Sequence, residues 1–442
     1  MAYKVGMISL GCPKNRIDSE IMLKRLSDAG YIITDDADGA DIVIVNTCAF
    51  IEDAKKEAID TILEMADLKA DGALKKIVVT GCLSQRYKDE ILTEIPEADG
   101  VIGIGANESI VEICNRIMEE DVPYSEFPPE EKLNLEGGRI LTTPEHTAYL
   151  RIADGCSNCC SYCAIPSIRG PFRSRPMDNI TEEASMLCEA GVKELIIVAQ
   201  DTTRYGEDLY GEYKLPELLR KLSEIEKLKR IRLLYCYPDR ITDELIEEIA
   251  TNEKVCHYID MPMQHADGGI LKAMNRPGDK ETLLALIEKI RERIPDVVLR
   301  STFITGFPGE TEEEFTVLSE FLNEARLDKV GCFAYSREEG TVAFDMENQV
   351  EKEVAENRAE ILMEQQYRIV EEKLNSQMGK TVDVLVEGYD SYTDSFYGRS
   401  YMEAPEIDDY IIFTCGYDIE EGDIIPVEIF DKDEYSLIGE AV

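Results

Sequence analysis

The chain has 442 residues, of which 44% are hydrophobic and 31% charged, and its formal net charge is −43. This length exceeds one ordinary core and suits two or three domains, and the composition excludes an intrinsically disordered protein. No apolar run could span a bilayer, and no basic leader precedes an apolar stretch, so we expect a cytoplasmic protein without a membrane partner.

The first part of the chain, residues 1–121, alternates short apolar runs with helical patterns. The apolar runs cover residues 5–10, 41–46 and 76–80. Continuous apolar strands between helices indicate a parallel sheet that is covered on both faces. We therefore predict an N-terminal doubly wound α/β domain, followed by a linker at 122–145 that is rich in Pro, Glu and Gly.

The rest of the chain is predicted to form two further domains. Residues 146–375 contain six strand–helix units, which is typical of a partial (βα)6 barrel with its functional groups at the carboxyl ends of the strands. Residues 376–442 contain short strands broken by Gly, Pro and Asp, which indicates a small antiparallel β-barrel. This last segment has three Lys or Arg and 17 Asp or Glu residues. Such a charge favours a basic protein partner over direct binding to RNA.

A cluster of cysteines follows the first strand of the middle domain, in the first loop of the predicted barrel. Thiolates are the soft ligands that iron–sulfur clusters require, and three of them leave one iron of a four-iron cluster without a protein ligand. A zinc knuckle is the alternative, but no second pair or histidine is placed to complete a tetrahedron. The predicted ligands are Cys156, Cys160 and Cys163, and the neighbouring Cys159 is assigned no ligand role.

A second set of cysteines recurs through the N-terminal domain. Cys12, Cys48 and Cys82 each follow one of the three predicted strands, at intervals of 36 and 34 residues. The carboxyl ends of parallel strands meet at one edge of a sheet, where ligands bind. Isolated buried cysteines are usually inert, but three at equivalent strand ends predict a second cluster with an open iron.

The pattern CxxxCxxC, with Tyr162 before its last cysteine, resembles the radical S-adenosylmethionine superfamily. Together with the N-terminal cysteines and the C-terminal barrel, the whole chain resembles the methylthiotransferases of that superfamily. The resemblance implies two 4Fe-4S clusters, S-adenosylmethionine as a further cofactor, and a C-terminal TRAM domain. It also implies that Gly306 and Gly309, in a glycine-rich strand end, lie near the cofactor.

Three segments, residues 9–20, 164–176 and 198–206, resemble the family members that modify an aspartate of small-subunit ribosomal protein S-twelve. This implies methylthiolation of the β-carbon of that aspartate, with S-adenosylmethionine as methyl donor and radical source. The implied partners are S-twelve or the small ribosomal subunit, and an electron donor protein. Two alternatives remain: a tRNA adenosine methylthiotransferase on the same scaffold, and a non-catalytic iron–sulfur redox sensor.

Overall fold

A computed structural model describes residues 2–120 and 122–442. The chain divides into two compact units, each built from separate stretches of sequence. The first unit comprises residues up to 142, 153–175 and 336–344, and the second comprises residues 143–152, 176–335 and 345–442. The predicted first domain starts at Met1 and ends at Asp121, and both residues lie outside the described ones. The four-part domain division therefore stays a prediction.

The described residues form the following strands and helices. The strands are β1 (Lys4–Ser9), β2 (Ile32–Thr34), β3 (Ile42–Thr47), β4 (Lys76–Gly81), β5 (Gly100–Ile102), β6 (Tyr124–Glu126), β7 (Thr147–Arg151), β8 (Ala153–Asp154), β9 (Arg173–Ser174), β10 (Glu194–Val198), β11 (Arg230–Leu233), β12 (Val255–Asp260), β13 (Val298–Thr305), β14 (Lys329–Ala334), β15 (Thr381–Asp390), β16 (Ser395–Arg399), β17 (Ile411–Thr414), β18 (Ile424–Asp433) and β19 (Ser436–Ala441). The helices are α1 (Pro13–Asp28), α2 (Glu52–Ala70), α3 (Cys82–Tyr87), α4 (Asp89–Glu94), α5 (Ile110–Glu119), α6 (Ile165–Arg169), α7 (Met177–Glu189), α8 (Glu207–Tyr210), α9 (Leu215–Ser223), α10 (Asp243–Thr251), α11 (Gly268–Ala273), α12 (Lys280–Arg293), α13 (Glu312–Ala325) and α14 (Lys352–Asn375).

The first unit contains a parallel sheet in the order β2-β1-β3-β4-β5-β6. Every residue of β3 is buried, as expected for a central strand with helices on both faces. One core cluster packs α1 and α5 against the sheet, and another packs α2 and α3. The predicted doubly wound fold is confirmed. The sheet also continues beyond the three predicted strands, because β6 lies in the segment predicted as a linker and pairs with β5.

The second unit contains six parallel strands in the order β7-β10-β11-β12-β13-β14. Helices follow these strands along the chain, as the predicted partial barrel requires. Local sequence defines their starts: Asp279 and Thr311 form capping boxes at the beginnings of α12 and α13. None of the helices in the described residues is long and apolar enough to cross a bilayer.

The strands β15 to β19 close into a barrel in the order β15-β16-β17-β19-β18. Closure leaves no strand edge exposed. Four neighbouring pairs are antiparallel, as predicted, but β17 and β19 pair in parallel. The difference arises because the hairpin of β18 and β19 returns to β17 on the side that completes the barrel, which the pattern of each strand taken singly does not show.

Candidate functional site

Both cysteine sets lie in the first unit. Cys12, Cys48 and Cys82 directly follow β1, β3 and β4, which are neighbours in the sheet. The strand order reverses between β1 and β3, and such a reversal opens a crevice at the carboxyl edge where ligands bind. The structure therefore places the three sequence-predicted residues at one edge of one sheet.

Glycines allow these strand ends to approach each other closely. Gly11 has a φ of +87°, and a Cβ at this position would lie 2.8 Å from the Sγ atom of Cys48. Gly81 has a φ of +98°, and its Cβ would lie 2.4 Å from the Oδ1 atom of Asn46. Only glycine adopts these conformations without a side chain in the way. The sequence signal that could have indicated this geometry is the glycine directly before Cys12 and the glycine directly before Cys82.

Asn15 joins the ends of two strands beneath the cysteines. Its Nδ2 atom donates hydrogen bonds to the carbonyl oxygens of Leu10 and Thr47, each at 2.9 Å. Its Oδ1 atom lies 3.7 Å from the Sγ atom of Cys82. One buried amide thus fixes the ends of β1 and β3 beside the third cysteine, a role that the sequence analysis missed.

The three thiols influence one another and share a nearby cation. Burial raises the pKa of Cys48 and Cys82, the latter to about 12, and the other thiols of the set contribute to the rise. Burial also acts to raise the pKa of Cys12, but the charges of Lys14 and Arg169, together with backbone hydrogen bonds from Asn15 and Lys14, outweigh it, so that this pKa is lowered. Coordination by a metal deprotonates a thiol outright.

The second set lies in the loop between β8 and α6. Cys156 and Cys160 are buried, Cys163 is half-buried and Cys159 is exposed. The loop is fixed by backbone hydrogen bonds, from the amide of Cys156 to the carbonyl of Gly170 and from that of Cys163 to Cys160, each 3.0 Å long. Cys159 thus differs from the predicted ligands in its greater exposure to solvent. The assignment of the ligands stays a prediction.

Arg169 connects this loop to the first cysteine set within the unit. It ends α6, and its side chain is 1% exposed. Its guanidinium donates to the carboxylates of Asp154 and Asp18, both at 2.9 Å, and to the Oδ1 atom of Asn15 at 2.5 Å. Asp154 lies two residues before Cys156, the first cysteine of the second set, and Asp18 and Asn15 lie on α1, the helix that follows Cys12.

Two neighbouring arginines also bond to protein groups. Arg173 donates to the carbonyl oxygens of Glu130 and Glu131, and Arg175 forms an ion pair with Glu136. Like Arg169, both arginines therefore bond to groups of their own unit. In the structure all three hold parts of the first unit together.

The glycine-rich strand end follows β13 in the second unit. Gly306 has a φ of +71°, and a Cβ there would lie 2.2 Å from the Cβ atom of Ala355, so this glycine permits the close approach of α14. Gly309 has a φ of +88° and faces open space, because a Cβ at this position would have no atom within 4 Å. Backbone conformation and packing therefore both require glycine at position 306, whereas backbone conformation alone requires it at position 309.

Glu310 organises this strand end. Its buried carboxylate accepts hydrogen bonds from the amide of Gly306 at 2.9 Å and from Arg358 at 2.7 Å, and it lies 3.2 Å from the Nε2 atom of His265. The Nδ1 atom of this histidine accepts from the amide of Asp267, so Nε2 carries the hydrogen that bonds to Glu310.

The donor sets fit iron–sulfur clusters better than single ions. Among the described residues, no three His, Cys, Asp or Glu side chains converge as ligands of one metal ion. A four-iron cluster makes a different demand, because each thiolate binds its own iron at a separate corner. Three thiols at adjacent strand ends, with a buried arginine to offset their negative charge, meet that demand.

Family models match three parts of the chain. Residues 4–103 match the uncharacterized protein family UPF0004, residues 150–322 the radical SAM superfamily, and residues 378–442 the TRAM domain. The radical SAM match implies a 4Fe-4S cluster and S-adenosylmethionine as cofactors.

Solved structures share the fold at low sequence identity. The radical S-adenosylmethionine methyltransferase TsrM from Kitasatospora setae has a TM-score of 0.54 and 15% identity, over 75% of this chain and 73% of that chain. The cobalamin-dependent radical enzyme OxsB has a TM-score of 0.51 and 12% identity, over 83% of this chain and 58% of that chain. These likenesses concern the fold alone.

Full-length relatives are much more similar. A ribosomal protein uS12 methylthiotransferase RimO from Thermoanaerobacter sp. (strain X514) is 50% identical over 99% of both chains. The protein of the same name from Caldanaerobacter subterraneus subsp. tengcongensis is 51% identical over 99% of both chains. That from Lachnoclostridium phytofermentans is 47% identical over 99% of this chain and 100% of its own. The chain therefore belongs to the RimO family of radical S-adenosylmethionine methylthiotransferases.

Proposed function

We propose that this chain attaches a methylthio group to the β-carbon of an aspartate in ribosomal protein uS12, the S-twelve protein of the small subunit. S-adenosylmethionine is both the methyl donor and the source of the radical. The observation that carries the proposal is the convergence of Cys12, Cys48 and Cys82 at adjacent strand ends, in the same unit as the radical cysteine loop. The substrate is the one named for the full-length relatives.

The target bond explains why a radical is needed. An unactivated C–H bond has no acidity that a general base could exploit, so the reactive species must come from a cofactor. When bound, a four-iron cluster with an open iron supplies the electron that cleaves S-adenosylmethionine to a 5′-deoxyadenosyl radical. The protein positions the reacting groups and excludes water.

We assign two cluster sites to the two cysteine sets. Arg169 lies buried between the elements that carry them, and it places a fixed positive charge near the thiols of the first set. Gly309 borders open space at its strand end, which suits approach of the S-adenosylmethionine cofactor, and Gly306 keeps that strand end against α14. The proposed cluster ligands are Cys12, Cys48 and Cys82 for the second cluster and Cys156, Cys160 and Cys163 for the radical cluster.

The C-terminal barrel favours a protein substrate over RNA. Residues 377–442 carry a net charge of −14, which repels phosphates and attracts basic surfaces. We therefore propose no direct binding to RNA, and a tRNA substrate is the less favoured alternative. We also propose that an electron donor protein supplies the reducing electron. Because the proposed substrate is a ribosomal protein, we propose that the enzyme acts in the cytoplasm.

The experiment is anaerobic reconstitution with iron and sulfide, followed by incubation with S-adenosylmethionine, a reductant and small ribosomal subunits. We expect mass spectrometry to find a methylthio group on one aspartate of uS12 and chromatography to find 5′-deoxyadenosine. Cys12→Ala should retain roughly half of the iron and lose methylthiolation, since one of two clusters is removed. Cys156→Ala should lose the 5′-deoxyadenosine as well.

Cys114→Ala is the matched control, because Cys114 is a buried cysteine on α5 outside both sets. It should keep the full iron content. If Cys12→Ala binds as much iron as the wild type, the two-cluster assignment is refuted. Modification of tRNA but not of uS12 would favour the tRNA enzyme, and clusters without any 5′-deoxyadenosine would favour the redox sensor.

A further inference from the structure

Arg169 contacts the third cysteine of the first set. Burial raises the pKa of the Cys82 thiol to about 12, while the charge of Arg169 and a side-chain hydrogen bond from it act in the opposite direction. Cys82 is 4% exposed and Arg169 is 1% exposed, so water has little access to this contact. An N–H group of the guanidinium is therefore held beside the sulfur atom of a proposed cluster ligand.

The side chain of Asn15 makes Arg169 more important once Cys82 has lost its proton. The Nδ2 atom of this amide donates to two backbone carbonyl oxygens, those of Leu10 and Thr47. These bonds direct its Oδ1 atom towards Cys82, where it lies 3.7 Å from the Sγ atom. A neutral thiol can donate to that oxygen, but a thiolate that binds iron has no hydrogen to offer. The guanidinium donates to the same Oδ1 atom at 2.5 Å and so offsets the repulsion between oxygen and sulfur.

The net charge around Arg169 does not by itself favour a reduced cluster. The guanidinium bonds to the buried carboxylates of Asp18 and Asp154, so the three side chains together carry one negative charge. A hydrogen bond acts locally, and N–H groups that point at the sulfurs are among the factors that set the reduction potential of an iron–sulfur cluster. The contact with Cys82, rather than the sum of the charges, is therefore the relevant feature.

We propose that Arg169, acting through Cys82, raises the reduction potential of the cluster that the first cysteine set binds. Reduction transfers one electron from the reductant to the cluster and neither makes nor breaks a bond. The hydrogen bond from Arg169 stabilises the negative charge that this electron adds. The inference rests on the proposed function, because it requires a cluster on Cys12, Cys48 and Cys82. It goes further by naming the residue that controls how easily this cluster is reduced.

The test is a redox titration of the anaerobically reconstituted full chain, monitored by electron paramagnetic resonance. Every protein carries Cys156→Ala, so that only the cluster of the first set contributes to the signal. The decisive variant combines Arg169→Met with Asp18→Asn, because it removes one charge of each sign and leaves the net charge unchanged. We expect its cluster to be at least about tenfold harder to reduce, the usual effect of one hydrogen bond to a charged group. For a one-electron couple, this factor equals a fall of about 59 mV in the reduction potential.

Arg139→Met combined with Glu20→Gln is the matched control. Arg139 and Glu20 form another buried ion pair of the first unit, with 2.9 Å between the Nη2 and Oε2 atoms. Neither residue is among the main influences on the pKa of the three thiols. The control also removes one charge of each sign, and it should leave the reduction potential of the cluster unchanged.

A potential that falls in the Arg169 double variant but not in the control supports the inference. An unchanged or raised potential, or an equal fall in both proteins, overturns it. Arg169→Lys is a second variant that disturbs the fold less, because lysine keeps the positive charge but lacks the planar guanidinium group. It should lower the potential by a smaller amount, and it decides the question if the double variant does not retain its cluster.

The same measurements separate this inference from the proposed function. If the Cys156→Ala protein binds no cluster, the two-cluster assignment fails and this inference fails with it. If that protein binds a cluster whose potential does not depend on Arg169, only this inference is refuted.

Discussion

At the scale of single residues, Arg169 has the most consequential environment in the first unit. It is nearly inaccessible and contacts two carboxylates and an amide that come from separate stretches of the chain. A planar guanidinium presents five N–H donors in a rigid fork, whereas an ammonium group has three donors on a flexible stem. Its charge also acts on the thiols of Cys12, Cys48 and Cys82.

Replacement of Arg169 by Met should strongly destabilise the metal-free protein. The change leaves Asp18 and Asp154 buried without their partner, and breaking a buried ion pair costs about 3–5 kcal/mol. The stability of Arg169→Lys should lie between those of Arg169→Met and the wild type, because lysine keeps the charge but lacks the planar guanidinium group. Urea unfolding followed by circular dichroism measures the difference.

Arg116→Met is the control, since Arg116 and Glu120 form an ion pair in which both side chains are more than half exposed. Exposed pairs contribute little to stability, because water and salt screen the attraction between the charges. Equal losses in Arg116→Met and Arg169→Met would show that the buried network does not stabilise the unit.

At the scale of elements, the connections after the strands carry the unusual backbone conformations. Gly11, Gly81, Gly306 and Gly309 all have positive φ and all follow or end a parallel strand. A strand that ends in such a turn can place the next residue at the sheet edge. The reason for glycine differs between sites, because a Cβ would meet other atoms at the first three positions but not at Gly309.

Gly306→Ala should therefore destabilise the metal-free protein more than Gly309→Ala. The left-handed backbone costs each variant about 1–3 kcal/mol, and the overlap with Ala355 should add about 1–3 kcal/mol at position 306. Ala355→Gly should recover part of the loss in the double variant, because it removes the Cβ atom that lies 2.2 Å away.

Melting temperatures of the wild type, of the single variants Gly306→Ala, Gly309→Ala and Ala355→Gly, and of the two double variants with Ala355→Gly give this comparison under identical conditions. The double variant Gly309→Ala with Ala355→Gly is the control. The stability changes of its two substitutions should add, since a Cβ at position 309 would not contact Ala355. Additive effects for Gly306 and Ala355 as well would contradict the packing explanation.

At the scale of the second unit, a buried network of charges connects the sheet to the C-terminal barrel. Glu194, the first residue of β10, pairs with Arg232 of β11 at 2.8 Å and with Arg399 of β16 at 2.9 Å. Arg232 also donates to the carbonyl oxygens of Ser400 and Tyr401. All three charged side chains are inaccessible to solvent.

This network should make the attachment of the barrel sensitive to acid. Burial acts to raise the pKa of Glu194, but Arg399, Arg232 and Arg230 outweigh it and lower the pKa to about 2. A carboxyl group with a depressed pKa in the folded state stabilises the protein above its ordinary pKa, and this stabilisation disappears as the pH falls from about 4.5 towards 2. The contribution is about 3 kcal/mol.

Glu194→Gln should be less stable than the wild type at pH 7, and the gap should narrow below about pH 4.5. Urea unfolding at pH values from 7 to 3 measures this difference in the free energy of unfolding. Glu217→Gln, at an exposed pair with Lys214, is the control and should show a small gap throughout. A gap for Glu194→Gln that does not change with pH would contradict the linkage.

The amino-acid sequence was enough to predict the central parallel strands of both units and to select the cysteines of the candidate site. Apolar periodicity predicted the parallel sheets, and the spacing of Cys12, Cys48 and Cys82 after successive strands predicted their convergence, because both signals are local or repeat with the strand–helix unit. The resemblance then supplied the family, which the relatives confirm.

Contacts between residues that are far apart in the chain became visible in the folded structure. The partners of Arg169 and Glu194, the packing of Gly306 against Ala355 and the parallel pair that closes the barrel all join residues far apart in the chain. Hydrophobic pattern and spacing carry no information about which remote side chain will satisfy a buried charge or amide. That choice follows from how the packed elements bring donors, acceptors and volumes together.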